Sequence, residues 1–275
     1  MAYPAIQPRP LSPNMPIRIA PSWQYWLSLP FLMFILIPLV ALVLRVNPEQ
    51  LLLHLKNPQV LAALRLSIST TLISTLLTVL AGTPVAYLLA SQRDQFTRLI
   101  DALIDLPTVL PPAVAGVALL MAFGRRGLFG EMLNSLDIQI AFTPIAVVLA
   151  QLFIAAPFFI KSAVVGFSLI EPEIKQAASM DGASDWQIFR FMVLPLASRA
   201  MLTGIMMSWA RALGEFGATI LFAGNFPEKT QTMPLAIFLG FESNIDIALT
   251  LSVILLLLSF CLLFSVKLLL ENKTA

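Results

Sequence analysis

The chain of 275 residues is 58% hydrophobic and 12% charged, with a mean hydropathy of +0.87. That much apolar surface exceeds what a soluble core of this length can hide, so the composition implies an integral membrane protein. The net charge of +2 is spread over many segments without a basic block, which argues against a nucleic-acid partner and leaves the charges as topology signals.

The chain opens on "MAYPAIQPRPLSPNMPIRIAPS", with six prolines in residues 1–22. This composition predicts a disordered cytoplasmic tail, not a secretory signal, with the transmembrane domain spanning residues 23–275. A helix needs about 20 apolar residues to cross the hydrocarbon core. Charge-free windows meet that need at Ile19 to Leu44, Leu66 to Gln92, Leu106 to Gly124, Ile138 to Ile160 and Ile247 to Val266. A sixth window, roughly Leu196 to Gly224, carries Arg211 and Glu215 near its middle. The expectation is therefore an all-α integral membrane protein with six transmembrane helices. Of the 17 basic residues, ten fall inside and six outside when both termini are cytoplasmic, with Arg211 in the membrane. The positive-inside rule favours that orientation.

The third window contains Pro107, Pro111 and Pro112. Each removes a backbone donor and bends the helix, so this span is expected inside the bundle or lining a cavity. After it comes "GRRGLFG", placed outside, where Arg125 and Arg126 form either a solvated turn or a charged patch for an anion or an acidic partner.

Between spans four and five lies a polar loop, 171–195, that includes "EIKQAASMDGASDWQIFRFMVLP". Its pattern is helix, break, helix. Ile174, Ala177 and Ala178 give the first piece a small-residue face, and Gly182 suits the left-handed position past a helix end. Ser184 and Gln187 form the pattern of a capping box for a second piece that carries Trp186. Pro195 marks the start of the next transmembrane helix. The loop is either a hairpin lying on the membrane or a docking lever for a soluble partner.

In span five, Arg211 and Glu215 are costly at a helix centre, at roughly 2.5 to 3.5 kcal/mol each on insertion scales. Their spacing of four allows pairing along one face. They serve either as a structural ion pair or as part of a translocation surface, where Gly214 and Gly217 permit close approach of helices or substrate. The segment "GNFPEKTQTMPLAIF", 224–238, reads as an external loop. The single cysteine, Cys261, excludes an internal disulfide, and His54 in the first external loop has no second ligand beside it, so no metal site is expected.

The loop resembles the EAA loop of ABC importer permeases. The family pattern is met by Gln176, Ala177 and Ala178, then Gly182, then Met192, Val193, Leu194 and Pro195, with Gln176 replacing the family's Glu and Met192 its Ile. The resemblance implies a cytoplasmic coupling helix in which Gln176, Ala177, Ala178, Gly182, Trp186, Leu194 and Pro195 meet an ATPase subunit. Two further segments, "DLPTVLPPAVAGVALLMAFGRRGLFG" and "WARALGEFGATILFAGN", are similar to the molybdate, tungstate and sulfate permeases. That likeness implies the type I ABC importer permease fold, with residues 23–275 as the permease domain, in the bacterial inner membrane. It also implies a translocation pathway that includes Pro107, Pro111, Pro112, Arg211, Gly214, Glu215 and Gly217. The implied partners are a second permease copy, two cytoplasmic ATPase subunits holding ATP and Mg, an extracytoplasmic oxyanion-binding protein and membrane lipid. Molybdate is the first candidate substrate, with sulfate and tungstate as alternatives.

Absent motifs complete the reading. There is no G-x-x-x-x-G-K-[ST] phosphate loop, so the chain is not itself the ATPase, and no cofactor or catalytic residue is expected in it. A stand-alone secondary transporter is the rival reading. It predicts inverted repeats and several intramembrane ionisable residues, whereas the windows hold one charged pair.

Overall fold

A computed structural model describes residues 23–92 and 94–271, and all the regular elements among them are helical. Residues 1–22, read as a tail, lie outside the described residues. The chain divides into two units, residues 1–45 and 46–275. In the first, α1 (Trp23–Arg45) is a continuous 23-residue helix that contains Pro30 and Pro38.

The second unit begins with α2 (Pro48–His54) and α3 (Pro58–Ser91). Both start on the same local device. Asn47 and Asn57 accept hydrogen bonds from the N–H groups of Glu49 and Gln59, at 3.0 and 2.9 Å, and a proline fills the first helical position. Helix α4 (Gln95–Val109) starts at Asp94, whose carboxylate accepts from the Thr97 N–H at 2.8 Å. The Thr97 hydroxyl and that N–H hold the Asp94 carboxyl below the usual carboxylate range.

The bend expected from the prolines of the third span is a full break. Helix α5 (Pro112–Phe123) leaves α4 at 116°, across a break of two residues. Pro112 forces its predecessor out of the helical region, and Pro111 is indeed extended, with φ −54° and ψ 134°. With only 12 residues, α5 extends about 18 Å, well short of a bilayer.

Next come α6 (Gly130–Ser135) and α7 (Pro144–Ser168). The fourth window closed at Ile160, but the helix runs two turns further, so Lys161 sits inside it. The loop contributes α8 (Pro172–Met180) and α9 (Asp185–Ile188), followed by a π turn over Phe189–Val193 and by α10 (Leu194–Leu213). The sixth window does not continue to Gly224: α10 ends at Leu213, and a separate short α11 (Gly217–Phe222) follows. The expected external loop 224–238 is also only half a loop. Its second part begins α12 (Met233–Ser243), in which Met233, Leu235 and Ala236 are buried. Helix α13 (Ile245–Glu271) packs against α12. Among the described residues, five helical stretches can cross a membrane by length and apolarity, or six when α4 and α5 are counted as one bent span.

Helix α7 is the centre of the second unit, packing along α3 on one side and α10 on the other. Lipid tails are as apolar as leucine, so close packing and interhelical hydrogen bonds must hold these helices together. Close approach comes from small residues. A Cβ on Gly166 would lie 2.6 Å from the Ala200 Cβ, and one on Gly204 would lie 3.0 Å from the Phe159 carbonyl oxygen. The hydrogen bonds follow: Ser162 donates to the Ala200 carbonyl at 2.7 Å, and Ser208 to that of Ala155 at 3.0 Å. The Trp209 indole donates to Thr71 Oγ1 on α3 at 2.9 Å.

Gly204→Val should therefore force α7 and α10 apart. Overpacking of this kind costs about 1–3 kcal/mol, and thermal unfolding of the detergent-solubilised protein should show a clear drop. An unchanged unfolding temperature would mean that this contact does not limit the packing.

Candidate functional site

Two regions bring the predicted residues together. The first is the loop between α7 and α10. Helix α8 ends in a Schellman motif: the Ala183 N–H donates to the Ala178 carbonyl and the Gly182 N–H to the Ser179 carbonyl, both at 3.1 Å. Gly182 has φ +86°, the conformation that the motif requires. Helix α9 starts immediately on a capping box, in which Ser184 N–H donates to Gln187 Oε1 at 2.8 Å and Gln187 N–H to Ser184 Oγ.

This hairpin is pinned to the bundle on one face only. Lys175 lies over the Tyr87 ring at 5.6 Å, and Tyr87 packs against Phe167 and Phe189. Ala178 and Ile188 join the apolar cluster at that end of α7. The opposite face is open. Gln176 and Ala177 are exposed, as are Met180 at 89% and Trp186 at 63%. Pro195 lies in the first turn of α10, as expected, but no break precedes it. It has no N–H and its ring would clash with a carbonyl one turn back. The π turn accommodates this, with Leu194 N–H donating to Phe189 O, so that residues 185–213 form one continuous helical rod.

The second region is the end of α10. Arg211 Nη1 lies 2.8 Å from Glu215 Oε2, with Glu215 almost fully buried at 1% and Arg211 partly exposed at 30%. Glu215 has a further task that its spacing did not reveal: Oε1 accepts the Ala218 N–H at 2.9 Å in the first turn of α11. One carboxylate thus joins the helix that ends here to the helix that begins here. The two glycines differ. A Cβ on Gly217 would lie 2.8 Å from the Pro112 Cβ, so this glycine serves packing between α11 and α5. Gly214 is exposed, and a Cβ on it would meet the Ala210 carbonyl oxygen in ordinary contact at 3.8 Å. Pro111 and Pro112 are exposed at the α4–α5 break, while Pro107 is buried within α4. At "GRRG", Arg125 donates to Gln139 at 3.0 Å and Arg126 is exposed.

A third charged group escaped the sequence reading. Lys161 on α7 bridges Asp101 and Asp105 on α4, at 2.7 and 2.8 Å. Two clues pointed to it: Asp101, Asp105 and Thr108 recur at helical spacing, and Lys161 falls in an otherwise charge-free run.

Two broken elements meet at Gly217 and Pro112 and an exposed helical hairpin continues into α10, within the fold of an ABC importer permease. The chain belongs to the family described as "Binding-protein-dependent transport system inner membrane component", whose model matches residues 82–272. It is 38% identical to the molybdenum transport system permease protein ModB of Mycobacterium tuberculosis over 239 residues, covering 87% of this chain and 90% of the relative. It is 34% identical to the sulfate transport system permease protein CysT of Escherichia coli over 257 residues, covering 91% and 93%. Among solved structures, a chain of a bacterial ABC transporter that imports the acidic polysaccharide alginate matches with a TM-score of 0.73 at 14% identity, over 92% of this chain and 96% of that one. At that identity the likeness speaks for the fold. The protein is accordingly a multi-pass inner-membrane protein.

Two predictions follow from this geometry. Gly182→Val places a β-branched residue at φ +86°, which strains the turn by about 1 kcal/mol or more. Hydrogen exchange in residues 171–195 should rise while α7 and α10 stay protected. Unchanged exchange would show that the turn absorbs the side chain. For the ion pair, Arg211→Met strands a buried carboxylate and should destabilise the protein by about 3 kcal/mol, whereas Arg211→Met with Glu215→Gln should recover most of the loss. Thermal unfolding of both variants distinguishes this pairing from independent roles, which would make the double variant the less stable.

Proposed function

We propose that this chain is the membrane-spanning subunit of an ATP-driven importer for a tetrahedral divalent oxyanion, with molybdate as first candidate and sulfate and tungstate as alternatives. The observation that carries the reading is the partly exposed guanidinium of Arg211 beside the exposed Gly214, where α10 breaks. A dianion leaving water needs a cationic or hydrogen-bonding partner at membrane depth. Glu215 takes part of the arginine's charge, so that the contact stays weak enough for release. The relatives' names support the substrate class, since the similar permeases are described as molybdenum and sulfate transport proteins.

In this reading both termini are cytoplasmic, and so is the hairpin α8–α9. Gln176, Ala177, Gly182 and Trp186 offer the surface on which an ATPase subunit docks, Ala178 seats the hairpin on the bundle instead of facing that partner, and Leu194 and Pro195 begin the helix that receives its motion. Two copies of the permease and two ATPase subunits form the complex, and ATP and Mg belong to the ATPase. The "GRRG" turn and the exposed residues 226–229 face the extracytoplasmic binding protein. Pro107, Pro111, Pro112 and Gly217 shape the broken helices beside the route.

The test is uptake of radioactive molybdate into liposomes holding the permease, its ATPase and its binding protein, with sulfate and tungstate as competitors. Uptake should require all three proteins and ATP, and uptake by the permease alone would overturn the proposal. In the same assay the folded double variant Arg211→Met, Glu215→Gln should lose about tenfold or more, the worth of one charge-assisted contact. Uptake at the unaltered level would return the pair to a purely structural role.

A further inference from the structure

A groove of about 560 Å³ lies along the bundle, lined by Thr108 of α4, by Pro157, Phe158 and Lys161 of α7, and by Thr203 and Met207 of α10. On α10 the lining residues Ala200, Thr203 and Met207 recur every three or four positions, and Arg211 is the next residue in that series. On α4 the lining residue is Thr108, and Asp105 and Asp101 precede it at spacings of three and four. Three helices therefore turn one face each toward a single groove. Its long walls are apolar, and one of its ends points toward Arg211.

The hydroxyls in the groove are already committed. Thr108 donates to the Asp105 carbonyl at 2.7 Å, Ser162 to that of Ala200 at 2.7 Å, and Thr203 to that of Arg199 at 3.0 Å. Lys161 differs. Its ammonium carries three donors, two of which go to Asp101 and Asp105, and the third remains for the groove. The Ser162–Ala200 bond fixes the level of Lys161 on α10. Ala200 and Arg211 are 11 residues apart on that helix, which separates the two cations by about 16 Å along its axis.

We propose that Lys161 is a second station for the translocated oxyanion, one that Asp101 and Asp105 occupy between passages. The inference rests on the oxyanion-import reading and deepens it. An anion that leaves Arg211 enters an apolar-walled groove, where an unpaired dianion is unfavourable. Lys161 is the cation that this groove supplies. All three charges of the triad are between a third and a half exposed, so the two carboxylates and an arriving dianion can exchange on the lysine without moving a buried charge. The competition also limits residence. A lysine with no acidic partner would hold a dianion, and a trap does not conduct.

Both cations therefore share one design, a basic group beside an acidic one. At Arg211 the acid is buried and fixed by its second bond to Ala218, while at Lys161 both acids are solvent-accessible. The first is a permanent partial neutraliser and the second a displaceable one.

The experiment uses the reconstituted complex with its ATPase and binding protein. Lys161→Met should lower maximal uptake about tenfold, the worth of one charge-assisted contact. The triple variant Lys161→Met, Asp101→Asn, Asp105→Asn should be equally slow, although nothing in it is left unpaired. Lys161→Arg should retain most of the rate. Asp101→Asn with Asp105→Asn, which frees the lysine, should lower both the KM for the oxyanion and the maximal rate, the pattern of a site that releases slowly. An arm without mutation runs beside these. Molybdate or sulfate, but not chloride, should protect Lys161 in the unaltered complex from an amine-reactive reagent, as read by peptide mass spectrometry. Uptake by the triple variant at the unaltered rate, or no protection by either oxyanion, would reduce the triad to a clamp between α4 and α7. Absence of oxyanion uptake by the unaltered complex is a separate outcome, which overturns the importer reading and the station with it.

Discussion

The buried carboxylate of Glu215 is the interaction on which the middle of this molecule depends. A membrane supplies no water to a broken helix, so each interruption must satisfy its free backbone groups from within the protein. Where α10 stops at Leu213 and α11 starts at Gly217, Glu215 accepts the Ala218 N–H with one oxygen and the Arg211 guanidinium with the other. With two oxygens, one carboxylate accepts both bonds. Helix α11 is then held in place for Gly217 to meet Pro112 of α5. A Cβ on Gly116 would in turn lie 2.7 Å from the Ala218 carbonyl oxygen. Two short helices that could not stand alone in lipid are thus seated against each other and against α7, around Ala115, Ala146, Ala150, Ala218 and Phe222.

Which parts of this were legible in the sequence follows from the range of the interactions. The hairpin was readable almost residue by residue, because a Schellman turn at Gly182 and a capping box at Ser184 are local devices written within four or five positions. The ion pair was readable because its partners share one face of one helix. The α4–α5 bend was only half visible: Pro111 and Pro112 announce a break, but the angle of 116° is set by what α5 packs against. Helix α12 was hidden because hydropathy windows sized for a bilayer pass over an 11-residue apolar helix and leave it as loop. The Lys161 triad could not be paired at all, since its partners lie 56 and 60 residues away on another element. A window that closed at Ile160 made Lys161 look like a helix-end topology charge.

The continuity of the hairpin with α10 has a mechanical consequence. Residues 185–213 form 29 positions of unbroken helix, a rod of about 43 Å. Its lower end is the capped, exposed α9 and its upper end is Arg211. An ordinary loop between coupling surface and membrane helix would dissipate a push as local bending. Here the π turn takes up the defect at Pro195 within a continuous helix, so under the proposed function displacement of Trp186 is delivered along the rod. Tyr87 and Phe189 keep its base in contact with α3 and α7.

Under the proposed function, the same rod decides how the two cations relate to the transport cycle. Arg211 rides on α10, whereas Lys161 rides on α7, and the faces of these helices meet closely at Gly204 and Gly166. A stroke that slides or tilts α10 against α7 changes the spacing between the two stations. It does so without breaking either ion pair, because Arg211 and Glu215 travel with the end of α10 while Lys161 keeps its carboxylates on α4. Transport then strips no buried charge, since only the solvent-accessible carboxylates of Asp101 and Asp105 give up their cation to the anion. The anion exchanges one partly neutralised cation for another, and the apolar wall of Met207, Phe158 and Pro157 between them keeps it from resting midway.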